Sequence, residues 1–141
     1  MKIINNKKML IRAPAKINLH LEVIGKRNDD FHELSMIMQS IDLYDFLEIE
    51  LNNNGFINLR TDSEELCKND DNLIIKSASL LKDFVGNDNL GANIFLTKNI
   101  PIGAGLAGGS TDAAATLIGL NKLWNLDLDP KTLHSLASNL G

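Results

Sequence analysis

Between Lys98 and Ala115 the chain reads KNIPIGAGLAGGSTDAAA, with four glycines in the seven positions from Gly103 to Gly109. A short strand-like run, Ala92 to Lys98, precedes this segment. A helix to about Trp124 follows it, with Ala113, Leu117, Leu120 and Trp124 as the buried stripe. The expected order is therefore strand, glycine turn, helix N-terminus. Glycine loses roughly 0.5–1 kcal/mol of conformational freedom on ordering in regular structure, so four of them together need a reason. Bare backbone N–H groups at a helix start, aligned with its dipole, favour a bound anion. Ser110 and Thr111 add hydroxyls able to bond a phosphate or the ligand shell of magnesium. The physical inference is a phosphate cradle.

Three other readings of the loop fit less well. Gly103, Gly105 and Gly108 match the G-x-G-x-x-G dinucleotide fingerprint, but that fold needs a strand with an acidic residue after the helix. Here Asp127-Leu128-Asp129-Pro130 follows, and then another helix. A Walker A loop requires Gly-Lys-Ser/Thr, whereas Gly108 is followed by Gly109 and Ser110. A flexible turn that binds nothing leaves the glycine density unexplained.

The rest of the chain supplies an α+β framework. Ile17 to Ile24 alternates, with Ile17, Leu19, Leu21 and Val23 on one face, and with Lys16, Asn18, His20 and Glu22 on the other. Leu34 to Ile41 is a second apolar run, read as a strand with a helix as the alternative. Phe46 to Leu51 and Phe56 to Arg60 flank Asn52-Asn53-Asn54-Gly55, which is a hairpin signal. Asp71 or Asn72 can cap a helix with apolar positions Leu73, Ser77, Leu80, Leu81 and Phe84, ended by Gly86. Asp129-Pro130 opens a last helix through Leu133, Leu136, Ala137 and Leu140.

Composition excludes several classes. The chain has 141 residues, a size expected of one domain, and 14 basic against 18 acidic residues give a net charge of −4. That balance argues against broad nucleic-acid binding. One cysteine, Cys67, excludes an intrachain disulfide, and His20, His32 and His134 are too scattered for zinc spacing. The longest apolar stretch, Ala113 to Leu120, is too short to span a membrane, and no secretory signal is visible. A cytoplasmic protein is expected.

PIGAGLAGGSTDAAATL closely resembles the second motif of the GHMP kinases, with Pro101, Gly105, Leu106 and the Ser110-Thr111 pair at its anchor points. APAKINL, Ala13 to Leu19, and GKRNDDFHEL, Gly25 to Leu34, resemble segments of the branch whose substrate is a cytidine diphosphate-linked methylerythritol. The resemblance implies a ribosomal-protein-S5-like α+β domain and ATP-dependent phosphorylation of that substrate's 2-hydroxyl, with Mg²⁺, on the methylerythritol phosphate route to isoprenoids. It also implies site residues. Lys16 would be catalytic, and Asn18, Phe31 and His32 would bind the substrate. Pro101, Ile102, Gly103, Ala104, Gly105, Leu106, Ala107, Gly108, Gly109, Ser110 and Thr111 would bind ATP. No metal ligand is assigned, and Asp112 is read as a first-turn acidic residue favoured by the helix dipole. In this family a catalytic aspartate would come just after the helix opened by Asp129-Pro130. Residues 1–141 are therefore expected to be an N-terminal ATP-binding domain, incomplete at the C-terminus, without the C-terminal domain and inactive alone. Another GHMP small-molecule kinase, or a non-catalytic S5-like RNA-binding module, are the alternatives.

Overall fold

The computed structural model describes residues 1–26, 32–66 and 71–140, with residues 26 and 32–34 described by backbone alone. Five strands and three helices follow in the order β1 (Lys2–Asn5), β2 (Lys8–Lys26), β3 (His32–Asn52), β4 (Ile57–Thr61), α1 (Leu73–Val85), β5 (Gly91–Thr97), α2 (Gly108–Leu123) and α3 (Pro130–Ser138). The sheet order is β1-β2-β3-β5-β4. All neighbours are antiparallel except β4 and β5, which are parallel.

Alternation within each strand decides which face carries the helices. Met9, Ile11 and Ala13 of β2, Leu47 and Ile49 of β3, and Ala92, Ile94 and Leu96 of β5 are buried. They meet Ile74, Ala78 and Leu81 of α1, and Leu117, Leu120 and Leu123 of α2, in one core. Each Met, Ile or Leu side chain among them contributes about 1.5–3 kcal/mol when fully buried. The intervening residues, among them Glu48, Glu50, Asn93 and Phe95, lie on the opposite sheet face. Gly119 lets α2 come close to the sheet, since a Cβ there would lie 2.6 Å from Ile49 Cδ1. The result is a two-layer α+β domain, as the residue patterns and the family resemblance led one to expect.

Three expectations change. The run Leu34 to Ile41 and the strand Phe46 to Leu51 form one continuous strand, β3, paired with a β2 of similar length. The hairpin expected across Asn52–Gly55 is absent, because β5 inserts between β3 and β4. The Asn-rich turn carries the chain past β5 instead. Asn52 Nδ2 donates to the Phe56 carbonyl and to Asn93 Oδ1, and Gly55 takes the left-handed φ of 74°. Strand β4 then reaches β5 through α1, which is one parallel β-α-β unit. The α1 stripe is also shifted by one position. Ile74, Ser77, Ala78 and Leu81 are buried while Phe84 is exposed.

The outer half of the β2–β3 pair projects beyond the helical layer. Leu19, Leu21, Val23 and Ile24, with Met36, Ile37 and Met38 opposite, are exposed. The alternation therefore identifies the strand correctly but not a buried face. Bulges between Pro14 and Lys16, Asn18 and His20, and Val23 and Gly25 twist this arm away from the regular ladder.

Candidate nucleotide-binding site

The glycine segment leaves β5 through an anchored corner. The Lys98 amide donates to Asp62 Oδ1 at 2.9 Å. The next two amides, of Asn99 and Ile100, both donate to Asp45 Oδ1 at 2.6 and 2.8 Å. Asp45 is fully buried on β3 and also accepts from the Lys98 ammonium. Asn99 Nδ2 donates to the Tyr44 carbonyl at 2.8 Å, so the corner is pinned from both sides.

Beyond the corner, Gly103 and Gly105 both have φ of 72°, a left-handed conformation that strains side-chain-bearing residues. Ala107 ends the loop at φ 60° as the N-cap of α2, without a side-chain capping bond. Gly108 and Gly109 serve a different purpose, since neither has a positive φ. A Cβ on Gly108 would lie 2.7 Å from Lys98 Nζ and 3.0 Å from Ile100 Cγ2. The first turn of α2 leaves N–H groups without intrahelical partners. The Thr111 hydroxyl turns inward, within reach of the Ala107 and Gly108 carbonyls at 3.1 and 3.0 Å. Ser110 is exposed at the mouth.

The loop from Pro101 to Ser110, with Leu66, Leu73 and Lys98, lines a cavity of about 300 Å³. A neighbouring cavity of about 280 Å³ shares Leu66, Leu73, Ile102 and Gly109, and adds Asn72, Ile74 and Asp112. Together they offer apolar walls beside a helix N-terminus. A larger depression of about 840 Å³ lies on the open sheet face, lined by Glu48, Glu50, Asn58, Arg60, Asn93 and Phe95 among others. It shares no residue with the loop, and its carboxylates do not suit a phosphate.

The Lys16 backbone amide donates to the Leu106 carbonyl at 3.0 Å, which joins β2 to the glycine loop. Lys16 Nζ donates to Asn18 Oδ1 at 3.1 Å. Two sequence candidates are thus in contact, and one abuts the loop through its backbone. Phe31 lies outside the described residues. His32 is described by backbone alone, as the first residue of β3 opposite Lys26. His20 is exposed with Nε2 3.7 Å from Glu22, a solvated residue, and His134 is exposed. Cys67 lies outside the described residues.

Sequence reasoning missed the buried charge cluster under the loop. Lys98 is buried, in contact with Asp45 and with its Nζ 3.5 Å from Asp112 Oδ2. Asp112 is 2% exposed, and its Oδ1 has no hydrogen-bond partner. Burial, reinforced by Asp45 and partly offset by Lys98, pushes the Asp112 carboxyl up to about 7. Asp112 therefore lies just past the first turn of α2 as a buried member of an ion cluster, and is not the first-turn acid favoured by the helix dipole that the sequence led one to expect. Spacing could not reveal this, because Asp45 and Lys98 are 53 residues apart. Among the described residues, no group of three His, Cys, Asp or Glu side chains is placed to hold a metal ion, and no helix is long and apolar enough to cross a membrane.

Known proteins match both the sequence and this geometry. The model of the GHMP kinases N terminal domain matches residues 72–141. A protein from Prochlorococcus marinus strain MIT 9301, called 4-diphosphocytidyl-2-C-methyl-D-erythritol kinase, is 71% identical over 95% of this chain and 43% of its own length. Its namesake from strain MIT 9215 is 67% identical over 96% of this chain and, again, 43% of its own length. The chain thus spans less than half the length of these relatives. A crystal structure of 4-(cytidine 5'-diphospho)-2C-methyl-D-erythritol kinase superposes with a TM-score of 0.77 at 38% identity, covering 94% of this chain and 46% of that one. Homoserine kinase from Cytophaga hutchinsonii shares the fold at a TM-score of 0.74 and 18% identity, covering 99% of this chain and 42% of that one. With the glycine loop, the α2 N-terminus and the β2 contact all in place, the chain belongs to the GHMP kinases and carries the fold of their N-terminal domain.

Proposed function

We propose that this chain is the nucleotide-binding part of a kinase that transfers the γ-phosphoryl group of ATP to the 2-hydroxyl of 4-diphosphocytidyl-2-C-methyl-D-erythritol. The observation that carries the substrate is the 71% identity to a Prochlorococcus protein of that name. The phosphate half of the reading is supported by the left-handed Gly103 and Gly105 and the open first turn of α2. An RNA-binding module has no use for such a cradle beside an apolar cavity, and the chain's net charge of −4 is unfavourable to one.

Phosphoryl transfer depends on positioning and charge stabilisation more than on covalent protein chemistry. Residues Pro101–Thr111 would hold the ATP phosphates against backbone N–H groups and the helix dipole, with Leu66, Leu73 and Ile102 forming the apolar wall for the base. Mg²⁺, when bound with ATP, neutralises phosphate charge, and here it would arrive with the nucleotide. Lys16 is assigned as the catalytic ammonium, stabilising charge on the oxygens that exchange the phosphoryl group. Its bond to Asn18 supports the assignment of that amide as the group that orients the substrate. Phe31 and His32 are assigned to the cytidine, the aromatic ring by stacking and the histidine at the base edge. The cytoplasm, which supplies ATP, is the compartment this reading requires.

The test is a titration of the chain with Mg·ATP followed by backbone amide shifts. Gly103 to Thr111 should move first and furthest. Shifts centred on the open sheet face around Glu48 and Asn93 would overturn the assignment. Substrate identity is tested by completing the chain with the remaining length of a Prochlorococcus relative and comparing cytidine- and uridine-linked substrates. Equal turnover of both would favour another GHMP kinase.

A further inference from the structure

We infer that Asp45 is a positioning residue for the nucleotide loop, acting through Lys98 and through the backbone of Asn99 and Ile100. This rests on the reading of Pro101–Thr111 as the ATP loop. Asp45 lies on β3, yet the three groups that donate to its carboxylate, on Lys98, Asn99 and Ile100, belong to the chain as it enters the loop. One carboxylate oxygen accepts the Asn99 and Ile100 amides at 2.6 and 2.8 Å, and the other accepts the Lys98 ammonium. A carboxylate accepting from two amides and an ammonium has most of its acceptor capacity filled, which is what a buried charge requires.

The ammonium is the second half of the device. Lys98 Nζ sits between Asp45 and Asp112, so β3 and α2 both hold it. It lies directly beneath the first residue of α2, because a Cβ on Gly108 would approach it to 2.7 Å. Ile100 lies beside it, with Cγ2 3.0 Å from the same point. The start of the loop and the start of the helix are therefore fixed to one buried ion cluster. Between these two points, Gly103 and Gly105 are exposed and have left-handed backbones, which side-chain packing alone cannot restrain. The geometry explains why Gly108 is a glycine without a positive φ: the space for a side chain is taken by Lys98. Asp45 touches neither phosphate nor substrate in this assignment. It acts by fixing where the cradle's amides stand.

The experiment compares the parent chain with Asp45→Asn and with Asp45→Asn/Lys98→Met. The double substitution removes both charges of the pair, so that neither is left buried alone, and Asp112, which burial already pushes up to about 7, is left to stay protonated. Ile49→Val, a core change four residues along β3 from Asp45, is the control for general loss of stability. Amide hydrogen exchange without nucleotide and Mg·ATP affinity of the folded fraction are the two readouts. Both Asp45 variants should exchange the Gly103–Ser110 amides at least tenfold faster, with β3 and α1 protection changed no more than in Ile49→Val. Mg·ATP affinity should fall at least tenfold in the same variants and stay within twofold in Ile49→Val. Unchanged loop exchange in both Asp45 variants overturns the positioning role. Affinity loss of equal size in Ile49→Val also overturns it, since stability alone would then account for the effect. A parent chain that binds no Mg·ATP at millimolar concentration overturns the nucleotide reading, and with it the ligand half of this inference. In that case the exchange data still decide whether Asp45 orders the loop.

Discussion

The Lys16 amide and the Leu106 carbonyl, 3.0 Å apart, form a single backbone bond between the bulged part of β2 and the glycine loop. Through it, any residue on that stretch of β2 is placed relative to the glycine loop by main chain, independently of side-chain rotamers. Lys16 can therefore lose its side chain without losing its place in the fold.

The first prediction uses that separation. In a chain completed with the remaining length of a Prochlorococcus relative, Lys16→Ala should lower kcat by 10²-fold or more, on the order of a lost transition-state charge contact. Mg·ATP affinity should change little, because the backbone bond to Leu106 survives. A coupled assay with a parallel binding titration separates the two. A raised KM with unchanged kcat would show Lys16 to be a ground-state binder.

A second prediction concerns packing between α2 and the sheet. Gly119→Ala places a methyl 2.6 Å from Ile49 Cδ1 in a fully buried contact. Overpacking of this kind costs about 1–3 kcal/mol. Ile49→Val removes the offending carbon and alone costs about 0.5–1.5 kcal/mol. The double variant should thus be more stable than the sum of the two singles, by urea denaturation. Strict additivity would show that Ile49 swings aside freely.

The start of α1 gives a third. Asn72 Oδ1 accepts the Ile74 amide at 2.9 Å from a buried position. Asn72→Ala should cost about 1 kcal/mol, and Asn72→Asp should retain most of the cap. Because Leu73 lines both cavities beside the glycine loop, fraying here should also weaken Mg·ATP binding. Thermal unfolding that does not distinguish Ala from Asp would remove the cap from the account.

What could be read from the sequence was local. The strand-loop-helix around Gly103–Gly109, the α2 stripe Ala113-Leu117-Leu120-Trp124 and the Asp129 cap each depend on neighbours within a few residues, and each is found. The hairpin after Asn52 failed because strand pairing is not local. Asn93, 41 residues away, binds the Asn52 side chain and places β5 where β4 was expected. The exposed Leu19, Leu21 and Val23 show the same limit, since alternation identifies a strand but not what covers it. Asp45 left no trace in the sequence, because its partners begin 53 residues downstream. The roles of Phe31 and His32 stand on family resemblance alone.

The last prediction follows from Asp112. Its carboxyl ordinarily titrates near 3.8 and is pushed up to about 7 in the fold by burial and by Asp45, against the pull of Lys98. Glu65 and Asp71 line the same cavity as Asp112. Below pH 4, roughly, folded and unfolded chains both hold the proton, and the group costs nothing. As pH rises towards 7 the unfolded chain releases its proton first, so the folded state binds more protons and stability falls. Above about pH 7 both states are ionised and the loss is complete. At about 1.4 kcal/mol per unit, the full loss is a few kcal/mol. Asp112→Asn removes the titration and leaves an amide oxygen able to accept from Lys98. The variant should therefore gain on the parent as pH is raised from 5 to 8, becoming the more stable of the two at pH 8. Urea denaturation of both proteins across that range is the measurement. A difference that does not change with pH would mean that Asp112 stays ionised throughout, with Lys98 compensating for its burial.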